Sequence, residues 1–128
     1  MTEKEKILSR IEAAGVLAVI RGPSPDLTLK MVAALIKGGV HGIEITFTTP
    51  EPLSVVKSLQ EEFGPDIILG MGTLTKVEQA SAAVSAGATF LVSPHTDEKL
   101  AAAMVATGKP VMMGALTPTE VKKAWELG

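Results

Sequence analysis

Glycine returns along this chain with a period that leaves few folds open. It stands ahead of short apolar runs at Gly15, Gly39, Gly64, Gly87 and Gly108, and again at Gly128, at intervals of roughly 20–25 residues. Such an interval holds one strand, one helix and two short loops. The runs cover residues 16–20, 42–47, 67–71, 89–93 and 110–114. Each is short and almost unbroken in apolar character, which is how a strand buried on both faces reads. The pattern predicts a leading helix followed by five strand–helix units.

Helix-start signals follow the runs. Ser24-Pro25 and Thr49-Pro50 each offer a capping oxygen and then a proline at the first helical position. Thr75 with Glu78, and Thr117 with Glu120, have the spacing of capping boxes. Thr96-Asp97-Glu98 places acids in a first turn, where the helix dipole favours them. Apolar residues then recur at helical spacing, as in Leu29, Val32, Ala33 and Ile36, and the helices stop at glycine, as in Lys37-Gly38-Gly39 and Ala86-Gly87.

Strands alternating with helices require a parallel sheet of the α/β class. Two architectures compete: an open doubly wound sheet, and a (β/α)8 barrel of which the first five βα units are present. A complete barrel needs at least ~200 residues, and this chain has 128. The repeat breaks off where a sixth strand would start, so the second architecture is expected. Residues 1–128 then form one partial barrel with three strands absent.

Composition narrows the function. Hydrophobic residues make up 46% and charged residues 20%, a balance that argues for extensive burial. A net charge of −2 and a pI near 5.7 invite neither nucleic acid nor an anionic membrane. The absence of cysteine removes disulfides, thiol catalysis and cysteine metal sites. Two isolated histidines, His41 and His95, and scattered acids give no metal-ligand spacing. The charged start resembles no signal peptide and no apolar run approaches the ~18 residues of a membrane span. A cytoplasmic protein is expected.

In either architecture chemistry collects at the carboxyl ends of the strands. The polar residues inside or just beyond the runs are Arg21, Glu44, Thr46, Thr48, Thr73, Ser93, His95 and Thr117. Glu44 is the acid embedded in an apolar strand, between Ile43 and Ile45. Burial there is costly without a partner and raises a carboxyl toward the range of a useful general base. The other reading is a structural ion pair with Arg21, whose planar fork also suits a substrate carboxylate or phosphate. Thr73, in Gly70-Met-Gly-Thr73, offers a hydroxyl beside flexible backbone, or else caps a helix. Ser93-Pro94-His95 lacks the triad geometry that neighbours in sequence rarely attain. His41 precedes its strand and is expected to be structural.

Taken together these segments resemble a known family. Val19-Ile-Arg21, Gly38-Gly-Val40, Ile43-Glu-Ile-Thr-Phe-Thr-Thr49, Gly70-Met-Gly-Thr73, Val92-Ser-Pro-His95 and Gly114-Ala-Leu-Thr-Pro-Thr-Glu120 occur in order and at fitting intervals. They are similar to the 2-keto-3-deoxy-6-phosphogluconate (KDPG) / 4-hydroxy-2-oxoglutarate (KHG) aldolases, from about residue 7 to residue 128. The resemblance implies a (β/α)8 TIM barrel, assembled as a trimer, and class I aldolase chemistry without metal or cofactor. In such lyases a lysine Schiff base on the keto carbon is the electron sink for carbon–carbon cleavage to pyruvate and glyceraldehyde 3-phosphate.

By that resemblance Glu44 matches the proton-shuttling glutamate and Thr73 the threonine beside the pyruvate carboxylate. Arg21 matches a basic position in the same pocket, and Pro94 a residue lining it. Thr48 stands where some relatives carry an arginine, and Met113 precedes Gly114 where proline is common. The Schiff-base lysine of the family lies in a sixth strand. Of the ten lysines here, Lys30, Lys37, Lys57, Lys76, Lys99, Lys122 and Lys123 are expected in helices. Lys4 and Lys6 lie near the start and Lys109 before its strand, so none ends a strand. The chain alone is expected to lack activity. The alternatives are a non-catalytic remnant that binds a partner or small acid, and an unrelated open α/β domain. Open apolar edges at residues 16–19 and 111–113 further predict association or marginal folding.

Overall fold

A computed structural model describes residues 1–128. Helix α1 (Glu3–Ala14) leads into β1 (Leu17–Ile20), α2 (Pro25–Lys37), β2 (Gly42–Thr46) and α3 (Pro52–Phe63). A 3-10 turn (Gly64–Asp66) then precedes β3 (Ile68–Gly72), α4 (Val77–Ala86), β4 (Leu91–Ser93), α5 (Glu98–Val105), β5 (Val111–Met113) and α6 (Pro118–Leu127). The five strands are parallel and lie in the order β1-β2-β3-β4-β5. A doubly wound sheet reverses its strand order at a switch point. This one does not, so the barrel-type architecture is the correct one of the two.

Local chemistry sets most helix starts where the sequence places them. The Ser24 hydroxyl accepts from the Leu27 amide at 3.3 Å, with Pro25 following. The Thr117–Glu120 capping box closes at both ends, at 3.3 and 2.8 Å, and the Asp97 carboxylate accepts from Leu100 at 2.8 Å. Two expectations are corrected. Thr49 caps nothing; α3 starts at Pro52 behind Glu51, and the buried Thr49 hydroxyl donates to the Ile20 carbonyl at 3.2 Å. Glu78 is not the box partner of Thr75 either. Gln79 takes that role, accepting from the Thr75 and Lys76 amides at 2.7 and 3.0 Å.

Alternation along each strand divides the sheet into two faces. Ile20, Ile43, Ile45, Leu69, Met71 and Leu91 point outward into the helix layer, where they pack with Val32, Val55, Val56, Leu59 and Met104. Burying each such side chain contributes about 1.5–3 kcal/mol. The inner face carries Leu17, Ile68, Phe90, Val92 and Met112, packed with Ile7, Ile11 and Ala14 of α1. Helix α1 thus floors the inner face at the amino ends of the strands. It is held there by Arg10, whose guanidinium donates to the carbonyls of Pro65 and Ile67 at 2.9 and 2.7 Å.

Candidate active site

The inner face changes character above that floor. Glu44 projects from β2 on the same face as Gly42 and Thr46, with Val19 of β1 and Gly70 of β3 in register on either side. The residue is only 7% exposed. Room for its carboxyl comes from β3, because a Cβ at Gly72 would stand 1.7 Å from the Glu44 Oε1. Every fully buried side-chain oxygen or nitrogen in the protein has a hydrogen-bond partner. Glu44 forms neither a hydrogen bond nor a salt bridge, so its oxygens keep a narrow access to solvent on the inner face. Burial raises its carboxyl above the ordinary 4.5, and the positive charge of Arg21 offsets part of that rise. The structural ion pair with Arg21 that the sequence left open does not form.

The remaining site residues gather at the carboxyl ends. Arg21 is exposed just past β1, and Thr48 is exposed just past β2. Beneath them the Thr46 hydroxyl meets those of Thr48 and Thr49 at 2.8 and 3.4 Å and reaches the Ile20 carbonyl at 3.4 Å. These hydroxyls stitch the first two strand ends together. Thr73 closes β3 with a left-handed backbone at φ 58. A β-branched residue there costs on the order of 1–3 kcal/mol, and strain of this kind collects at functional sites.

Pro94 is exposed beyond β4. Its carbonyl leaves no space for a side chain at Gly114, where a Cβ would approach within 2.2 Å. The loop is tied further by Ser93 donating to the His95 carbonyl at 2.8 Å and Thr96 to that of Gly114 at 2.9 Å. Ser93 is therefore a loop tie and not a nucleophile. His41 is bound to the Asp66 carbonyl at 3.2 Å at the amino ends, away from the site. The glycines of Gly70-Met-Gly-Thr73 read in the sequence as places of close backbone approach beside Thr73; that Glu44 is the group approaching Gly72 follows from the register of β2 and β3.

No lysine lies in a strand. Lys76, expected in a helix, instead precedes α4 in the loop after β3, on the site's side of the sheet. It is exposed and makes no ion pair with Glu44. A groove of about 560 Å³ lies elsewhere, between the outer face of β5 and α6, lined by Val111, Met113, Val121 and Trp125.

Consecutive parallel βα units with polar groups at the carboxyl ends and a helical floor define the class as an α/β protein of the TIM-barrel type. The chain belongs to the KDPG and KHG aldolase family, whose model matches residues 7–128. It is 33% identical to the 2-dehydro-3-deoxy-phosphogluconate aldolase of Treponema pallidum, over 95% of this chain and 58% of that protein. The KDPG aldolase of Zymomonas mobilis ZM4, solved with 3-phosphoglycerate, superposes with a TM-score of 0.86 at 27% identity, covering 98% of this chain and 59% of that one. The Legionella pneumophila enzyme, with pyruvate captured as a covalent carbinolamine, gives a TM-score of 0.77 at 29% identity, covering 88% and 53%. The chain thus spans little more than half the length of the relatives it matches.

Proposed function

We propose that this chain carries the proton-transfer and carboxylate-binding half of a Schiff-base aldolase that cleaves KDPG or a related 2-keto acid. The observation that supports the reading best is Glu44: a buried, unpaired carboxyl, raised by desolvation, on the inner face of a barrel-type sheet. A carboxyl raised by burial keeps its proton to higher pH than an ordinary one and is a stronger base once ionised. In the reaction a lysine amine condenses with the substrate's keto group and expels water. The 4-hydroxyl then loses its proton as the C3–C4 bond breaks, and the electron pair passes into the iminium to give an enamine. Glu44 accepts that proton, with water as a relay, and returns a proton to C3 before hydrolysis releases pyruvate. Thr73 and Arg21 hold the keto acid's carboxylate, Thr48 stands where a further polar contact is made, and Pro94 walls the pocket.

The amine is the part these residues do not supply. All ten lysines lie on helices, in loops or ahead of strands, so the chain by itself is inactive and the Schiff base forms on a lysine of additional polypeptide. The assembled enzyme is a homotrimer working on a small keto acid in the cytoplasm. The test is borohydride trapping with pyruvate followed by intact mass. No adduct is expected on this chain alone. A stoichiometric adduct mapping to one of its own lysines, Lys76 foremost, would overturn the assignment.

A further inference from the structure

Three positions of β3 and β4, Gly70, Gly72 and Phe90, stand on the inner face around Glu44. Gly70 and Gly72 follow the two-residue alternation of β3 and leave its inner side bare over two successive places. That bare trough is filled from both neighbouring strands. Glu44 leans in from β2, and a Cβ on Gly72 would stand 2.6 Å from its Cδ and 3.1 Å from its Cγ. The ring of Phe90 leans in from the start of β4, and a Cβ on Gly70 would meet three of its atoms at 2.3 to 2.5 Å. Gly70 is the register partner of Glu44. The aromatic ring and the glutamate chain therefore cover two successive places, Gly70 and Gly72, on one stretch of bare backbone. Phe90 is 0% exposed, and beneath it lie Ile7 and Ile68 of the floor.

We infer that Phe90, with Gly70 and Gly72, is a positioning device for Glu44: the ring blocks water and movement below, and the glycines fix how far the carboxyl reaches across β3. The inference rests on the reading of Glu44 as the proton carrier and names what aims it. Charge plays a small part in the device. Position 19 on β1 and positions 70, 72 and 90 bear no titratable group, and Arg21 is the charge whose field reaches the carboxyl. An aromatic wall beside a carboxyl acts by excluding solvent from the ionised form. The arrangement also explains why the glutamate is tolerated in the middle of a strand: it lies flat along backbone in place of a side chain.

The experiment is a carbon-13 NMR titration of the Glu44 carboxyl in the whole chain, assigned by its disappearance in Glu44→Gln. Phe90→Leu and Gly72→Ala are compared with Leu91→Val, which trims the opposite face of β4 and serves as a control for general loosening. Circular dichroism verifies the fold of each. Phe90→Leu is expected to move the Glu44 midpoint down toward the ordinary carboxylate range, and Gly72→Ala to move it down with a changed chemical shift; Leu91→Val leaves both as they are. A Glu44 midpoint unmoved in a folded Phe90→Leu chain overturns the inference, as does an equal movement in Leu91→Val. Should Phe90→Leu lose the native spectrum, Gly72→Ala decides by the same criterion. The titration requires no turnover, so its outcome is independent of where the Schiff-base lysine resides.

Discussion

The middle of the sheet and its fifth strand are written in similar residues, yet they meet solvent very differently. Every residue of β2 and β3 is buried, whereas all three residues of β5 are half-buried and α6 buries none. The central strands have hydrogen-bonded neighbours on both edges and α3 over their outer face, with Ala80 and Ala83 of α4 in the same core. Strand β5 has one neighbour, and its outer face meets the groove beside Trp125, which is 87% exposed. Apolar character alone does not bury a strand. Partners on both edges do, and Glu44 lies where those partners are complete.

Methionine allows the contrast to be tested with one chemistry at two places. Met71→Ala, in the centre, is expected to cost about 2–5 kcal/mol of unfolding free energy. Met113→Ala, at the open strand, is expected to cost less than about 1 kcal/mol. Urea unfolding of the two variants measures the difference, and equal losses would abolish it.

A smaller effect belongs to Glu44. Because its folded-state carboxyl is raised above 4.5, the unfolded chain releases that proton first as pH rises. The stability is full below 4.5 and declines as pH passes through the raised folded value. Glu44→Gln removes the decline and leaves the chain more stable than the parent at neutral pH. Urea midpoints collected from pH ~4 to ~8 on both chains give the comparison, because the lowered carboxyls of Glu5 and Glu120 add the same rise to each profile; a parent-minus-variant difference that rises across this window would contradict the burial-driven shift.

The smallest effect is at the open end. Trp125→Ala is expected to change stability by less than about 0.5 kcal/mol, as surface changes do. Trp125 should also fluoresce as a water-exposed indole. A blue-shifted emission that reddens on dilution would show α6 covered by a second copy, and the open end would no longer be open.

The βα order, the five strands and the leading helix were legible because the signals are local: apolar runs, glycine stops and capping hydroxyls at Ser24 and Thr117. What misled was chemistry with a distant partner. Thr49 before a proline reads as a cap, but its hydroxyl serves the carbonyl of Ile20 on another strand. Thr75 with Glu78 reads as a box, but the helix begins late enough to hand the role to Gln79. Glu44 was legible as an acid out of place. Its lack of a salt bridge with Arg21, and its fit against Gly72, depend on strand register and side-chain direction, which no local pattern contains.

The tie from α1 to the entry of β3 has a consequence for how the molecule is made. Each strand lies beside the one synthesised before it, so the sheet extends unit by unit as the chain emerges from the ribosome. Arg10 is different: its two acceptors lie 55 and 57 residues later. The first helix is translated long before the groups that hold it exist, and it waits undocked until the third strand is out. An early helix of this fold is thus fastened by groups made well after it.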